Sequence, residues 1–195
     1  MEYENEGKKP DVLHRSREQR YFFDRIFKSN NTTQDVYERT CSHLIDSVIK
    51  GYNACVFAYG TTGSGKTYTM TGTTETPGIM YLIIEDMFHQ ILEDSEKSYD
   101  IRVSYVEIYN EVIRDLLVPN SKDTYLDLRD DPMKGVCLAG VTEFSVKEPK
   151  EIMDLLVSGN KRRTTESTKA NLTSSRSHAI LQIQLAIKDK TKNTE

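Results

Sequence analysis

The spacing of apolar residues along the chain changes period several times, and each change marks an element. Tyr21-Phe22-Phe23-Asp24-Arg25-Ile26-Phe27 is rich in aromatics and predicts a strand. The polar turn Ser29-Asn30-Asn31-Thr32 offers N-cap residues for a helix. In that helix Val36, Tyr37, Leu44, Ile45, Val48 and Ile49 fall at helical spacing, and Gly51 is the expected stop. Ala54-Cys55-Val56-Phe57-Ala58-Tyr59 is a continuous apolar run, too short for a typical helix, and predicts a strand buried on both faces. A glycine-rich stretch over 60–65 leads into a helical segment from Lys66 that is interrupted over 71–76. Pro77 opens a second helical piece, in which Met80, Ile83, Met87, Ile91 and Leu92 recur at helical steps.

Residues 101–109 alternate as a strand does, and 125–146 carries short apolar runs broken by turn residues, which predicts a small antiparallel excursion. Glu151, Ile152, Leu155, Leu156 and Val157 predict a helix ending near Gly159, and Ile180, Ile183, Leu185 and Ile187 a last strand. A strand, a crossover helix and a further strand form a right-handed unit, so part of the sheet should be parallel. The fold class expected is therefore α/β, with helices flanking a mostly parallel central sheet. The first residues, 1–15, have little to bury and read as a flexible tail; 189–195 is a polar end.

Composition narrows the picture only modestly. A chain of 195 residues with 37% hydrophobic and 29% charged residues is one domain's worth with a sizeable core. Its net charge of −4 argues against a surface that is wholly a nucleic-acid footprint. No apolar stretch approaches the roughly 20 residues of a membrane span, and residues 1–11 lack the apolar centre of a secretory signal. Cys41, Cys55 and Cys137 lie far apart, as expected of reduced thiols in the cytoplasm. His14, His43, His89 and His178 show no metal-ligand spacing.

The chemistry is concentrated in two places. Gly60-Thr61-Thr62-Gly63-Ser64-Gly65-Lys66-Thr67 matches G-x-x-x-x-G-K-[ST] without a gap. Glycines let the backbone curl so that its N–H groups converge on a phosphate, and the helix that follows points its positive end there. Lys66 brings a mobile full charge to the β- and γ-phosphates of a nucleoside triphosphate, and the Thr67 hydroxyl is the expected Mg²⁺ ligand. The second place is Asn171-Leu172-Thr173-Ser174-Ser175-Arg176-Ser177-His178. Such a run is ordinarily a turn, but beside a phosphate loop its hydroxyls and guanidinium are what a γ-phosphate sensor requires.

Together these motifs resemble the kinesin motor domain. Phe57-Ala58-Tyr59-Gly60 running into Thr62-Gly63-Ser64-Gly65-Lys66-Thr67-Tyr68-Thr69-Met70 is similar to that family's phosphate-loop signature. Ser174-Ser175-Arg176-Ser177-His178 resembles its switch I. Val106-Glu107-Ile108-Tyr109-Asn110-Glu111 with Ile113-Arg114-Asp115-Leu116-Leu117, and Gly51-Tyr52-Asn53, match in register. The run from Gly159-Asn160 through Arg163, Thr168 and Asn171 resembles the branch that acts at microtubule ends. The resemblance covers 16–188 and implies a P-loop three-layer sandwich, incomplete at both ends. It also implies ATP as substrate with Mg²⁺, microtubules as partner, and a place on the cytoskeleton. Tyr68 would stack on adenine, Ser175 would complete the Mg²⁺ shell, Asn171 and Ser174 would position the attacking water, and Arg176 would pair with an acidic switch II residue.

The departures from the family matter as well. No Asp-x-x-Gly switch II sequence follows His178, and Lys8-Lys9-Pro10 does not match the family's first strand. Two function classes therefore stay open: the ATP-binding part of a microtubule motor, or a truncated module that binds nucleotide or a partner without hydrolysis. Missing neighbours would expose sheet edges, so marginal stability is expected, with tubulin binding weakened or lost. Heptads pairing two parent chains into a homodimer would lie beyond Glu195. The basic runs Arg15, Arg17, Arg20 and Lys161, Arg162, Arg163 read as solvated, the latter as a helix end facing its own last carbonyls.

Overall fold

The computed structural model describes residues 20–73, 75–119, 125–133, 135–165 and 177–190. The chain falls into two units, Met1–Asn30 and Asn31–Glu195. In the first, residues 21–27 are irregular with a bend at Asp24 and, among the described residues, belong to no strand. A strand exists only through ladder pairing with a neighbour.

In the second unit the helices are α1 (Thr33–Thr40), α2 (Ser42–Ile49), α3 (Lys66–Thr71), α4 (Ile79–Glu93) and α5 (Pro149–Thr165). The strands are β1 (Lys97–Tyr109), β2 (Val112–Asp115), β3 (Tyr125–Asp131), β4 (Gly135–Ala139), β5 (Phe144–Val146) and β6 (Ser177–Asp189). Thr32 opens α1 with a capping box: its hydroxyl accepts from the Asp35 N–H, and the Asp35 carboxylate accepts from the Thr32 N–H. The single helix expected over 33–49 is two helices that break at Cys41. Hydroxyls on either side of the break turn back onto the helix, Thr40 donating to the Val36 carbonyl and Ser42 to that of Glu38. Back-bonding of this kind bends helices. Tyr37, Cys41 and Ile45 still form one buried stripe across it.

β1 is the spine of the sheet. It pairs along its whole length with β6, while β5 and β2 share its other edge and β3 and β4 continue outward from β2. Each of these pairings is antiparallel, so the described strands do not form the mostly parallel sheet expected. The reason lies in the run 54–59, which should have begun the parallel unit. Among the described residues it has no ladder partner, and although Val56 packs on the core, Phe57 and Tyr59 are exposed. A strand buried on both faces needs neighbours on both edges, and the described residues supply none.

Burial on β1 alternates over its first half, and from Val103 to Glu107 both faces are buried. Ile101, Val103 and Tyr105 face the main core with Tyr37, Ile45, Ile84, Met87 and Phe88 of the helices and Ile152 and Leu156 of α5. On the other side Val106 meets Ile113 and Leu126 in a small cluster of strand residues. Among the described residues, buried helical side chains pack into the first cluster only, so the three-layer sandwich is represented here by two layers. The antiparallel excursion over 125–146 forms as expected.

Gly159 does not end α5. It lies mid-helix on the stripe Ile152, Leu156, Gly159, where a Cβ would stand 2.5 Å from the Tyr105 ring. The absent side chain lets helix and strand approach closely, which outweighs the roughly 1 kcal/mol by which Gly disfavours a helix interior.

Buried Asp115 pins the end of β2: Oδ1 accepts from the Leu117 N–H and Oδ2 from the Thr142 N–H, both at 2.8 Å. An amide at this position offers one acceptor and turns its NH₂ toward a donor. Asp115→Asn should therefore lower unfolding stability by about 2 kcal/mol, read from a urea melt. An unchanged midpoint would mean that water satisfies these N–H groups.

Candidate functional site

The glycine-rich segment is built by backbone conformations that only glycine adopts without strain. Gly63 and Gly65 have φ of 82° and 91°, in the left-handed region. At Gly60 a Cβ would stand 2.5 Å from Ser64 Oγ, so a side chain there would make that hydroxyl turn away. The Ser64 N–H donates to the Thr61 carbonyl at 3.2 Å, closing the loop. Gly65 is then the N-cap of α3 and offers no side chain to satisfy the helix's first N–H groups.

Lys66, the first residue of α3, turns back across the loop. Its Nζ donates to the carbonyls of Gly60 and Thr61, both at 2.8 Å. An ammonium is thus held at the loop mouth, with uncapped helix N–H groups beside it. Thr67 is exposed next to it, and the Tyr68 ring is 52% exposed, open to stacking. The structure brings Gly60, Thr61, Thr62, Gly63, Ser64, Gly65, Lys66, Thr67 and Tyr68 together in one exposed loop and helix start. Asn171, Ser174, Ser175 and Arg176 lie outside the described residues. The described part of that second motif begins at Ser177, the first residue of β6.

The loop is coupled to the core through α4. Gly72 and Pro77 form an isolated bridge, and the Gly78 N–H donates to the Thr71 carbonyl, so the end of α3 lies directly on the start of α4. At the far end of α4, Asp94 accepts from the N–H groups of Glu96 and Lys97 and from the Tyr99 hydroxyl. Burial, helped by that carboxylate, pushes the Tyr99 phenol up to about 12, so it remains a donor across the physiological range.

Sequence reasoning missed two arginines. Arg162 and Arg163 reach beyond their own helix. Arg162 donates to the Leu116 carbonyl, and Arg163 forms an ion pair with Glu107, a carboxylate 2% exposed, with Nε 3.2 Å from Oε1. The stripe Ile152, Leu156, Gly159 extends by one more turn to Arg163, and that spacing was the available signal.

The kinesin motor domain family profile matches residues 2–195. The chain belongs to that family. Human kinesin-like protein KIF19 is 51% identical over 186 residues, covering 94% of this chain and 18% of the human protein. Among solved structures, that of a fast kinesin superposes with a TM-score of 0.83 at 35% identity, covering 89% of this chain and 50% of its own. A KIF14 dimer with AMP-PNP in complex with a microtubule gives a TM-score of 0.75 at 38% identity, covering 84% of this chain and 46% of its own. The chain therefore spans about a fifth of that full-length relative and about half of those solved motor chains. These likenesses assign the kinesin motor fold to the described sheet and helices.

Proposed function

We propose that this chain is the ATP-binding part of a microtubule motor, in which ATP hydrolysis drives movement along microtubules or remodelling of their ends. The observation that carries the proposal is the loop over 60–67: two left-handed glycines, an ammonium at the mouth and an uncapped helix start. The β- and γ-phosphates sit against the loop N–H groups and Lys66, and Tyr68 stacks on adenine. The exposed Thr67 hydroxyl is a hard oxygen donor that suits Mg²⁺, a cation bound by few protein groups beside phosphate oxygens and water. Ser175 would supply a second protein hydroxyl to the ion. When bound, Mg²⁺ neutralises charge on the phosphates.

Asn171 and Ser174 orient the attacking water, and Arg176 pairs with an acidic group once ATP is in place. Catalysis then rests on positioning and electrostatics. The mostly parallel central sheet belongs to the complete family domain, in which 54–59 gains neighbours on both edges. That this run has no ladder partner among the described residues favours a second reading, in which this chain binds nucleotide without hydrolysing it and grips tubulin weakly.

Steady-state ATP turnover by the purified chain, with and without polymerised microtubules, separates the two. Turnover stimulated by microtubules supports the motor reading for this chain. Nucleotide binding without turnover places catalysis in the longer protein, and absence of binding would overturn both.

A further inference from the structure

Among the described residues β6 has one ladder neighbour, β1, so its outer edge is open. Folded proteins ordinarily blunt such edges with short strands, charged side chains, Pro or a bulge. The strands at the opposite side of the sheet follow that rule, β4 having 5 residues and β5 having 3. β6 does not. It is 13 residues long, and its ladder with β1 runs without a bulge from Ser177 to Asp189. From Ala179 to Ile187 it holds no charged residue, no Pro and no Gly. Ala179, Leu181, Ile183 and Leu185 pack against the main core yet are only partly buried, so they form its margin at this edge. The opposite face carries Ile180, Gln182, Gln184 and Ala186, all exposed. A strand added here would take further apolar surface of the first set out of water and meet no charge on the second.

The stretch is complementary to itself. A two-fold axis normal to a sheet pairs one edge strand with its own copy in antiparallel fashion, and the core face of each copy then lies on the same side. With the axis through Ile183, Leu181 lies opposite the partner's Leu185 and Ala179 opposite the partner's Ile187. On the other face Gln182 lies opposite the partner's Gln184 and Ile180 opposite the partner's Ala186. Apolar residues thus meet apolar ones on both faces, and the two amides can exchange hydrogen bonds. A charged strand from another protein would gain no ion pair along this edge, whereas the same sequence matches it at every position from 179 to 187.

We propose that β6 is an interface for a second copy of this chain, in which the two β6 strands pair about Ile183 and join two sheets into one. Light scattering on the 195-residue chain over a concentration series should show the mass rising from one chain to two and stopping there, because this pairing is closed. Gln182 and Gln184 test the register. In the ladder they stand beside Ser104 and Arg102, so Glu at 184 is compatible with its own sheet. Gln182→Glu with Gln184→Glu sets carboxylates opposite one another at both crossings and should weaken the dimer about tenfold. Gln182→Lys with Gln184→Glu sets opposite charges there and should dimerise at least as tightly as wild type. Both variants should keep the wild-type circular dichroism, since both positions are exposed. The single variants Gln182→Lys and Gln184→Glu repeat the test when mixed: the mixed dimer should outweigh either dimer of like chains. A wild-type chain that stays single or grows past two overturns the proposal. So do two double variants that weaken pairing equally, or single variants that mix statistically.

Discussion

Lys66→Ala should weaken binding of ATP and ADP by about 100-fold, or about 2.7 kcal/mol, while leaving the thermal melt nearly unchanged. The ammonium lies at the mouth of the loop, held by the carbonyls of Gly60 and Thr61, so a phosphate entering the loop meets a full positive charge already in place. At an effective dielectric constant near 20, two unit charges 4 Å apart attract by about 4 kcal/mol, and exchange of these carbonyl bonds removes part of that. A 100-fold loss is the remainder. Stability should barely respond, because the two hydrogen bonds are exposed and water replaces them readily. Titration of a fluorescent ATP analogue with each protein checks the first expectation, and a thermal melt the second. Unchanged affinity would remove the phosphate loop from the site. A large loss of stability would mean that Lys66 braces the loop rather than serving a ligand.

The shape of that loop was legible because it is local. Gly63 and Gly65, just ahead of Lys66, take left-handed conformations that a short glycine-rich sequence dictates. The alternating strand over 101–109, the helical stripe from Met80 to Ile91 and the antiparallel excursion over 125–146 were legible for the same reason. Each has a period set by its own backbone, and one apolar side that finds the core.

What escaped the sequence depends on distant partners. The run 54–59 has a buried strand's composition, but composition cannot supply a ladder neighbour, and the described residues hold none for it. Gly159 read as a helix stop because glycine usually acts as one; its actual role is set by the Tyr105 ring, 54 positions earlier. Arg162 and Arg163 read as solvated charges, and the Leu116 carbonyl and the Glu107 carboxylate decided otherwise. The hairpin from β1 to β2 turns on Asn110 and Glu111, both at positive φ. Asn in the left-handed region is common, whereas Glu is not, so the local signal for that turn was weak.

Gly78→Ala should destabilise the fold by about 3 kcal/mol and weaken nucleotide binding as well. Gly78 is the N-cap of α4, a place where Ser, Thr, Asp or Asn would ordinarily be favoured. A side chain is excluded because the end of α3 lies on it: a Cβ would stand 2.4 Å from the Met70 carbonyl oxygen, 2.4 Å from Thr71 C and 2.5 Å from Gly72 N. These are backbone atoms, so no rotamer relieves the clash and one helix must shift. Gly72 is equally confined from the other side, its own Cβ position 2.3 Å from Gly78 N, so the corner cannot relax toward it. α4 holds the fully buried Ile84 and has the larger stake in the core, so α3 is the element that moves, carrying Lys66 and Thr67 with it. Gly51→Ala is the control: its φ of 94° is strained for alanine, but nothing lies within 4 Å, so it should cost only about 1 kcal/mol. Urea melts of both variants, with ATP-analogue titrations, separate crowding from backbone strain. Equal losses in the two would show that the corner between α3 and α4 yields freely. A Gly78→Ala protein that loses stability but keeps full affinity would show that the phosphate loop is positioned independently of α4.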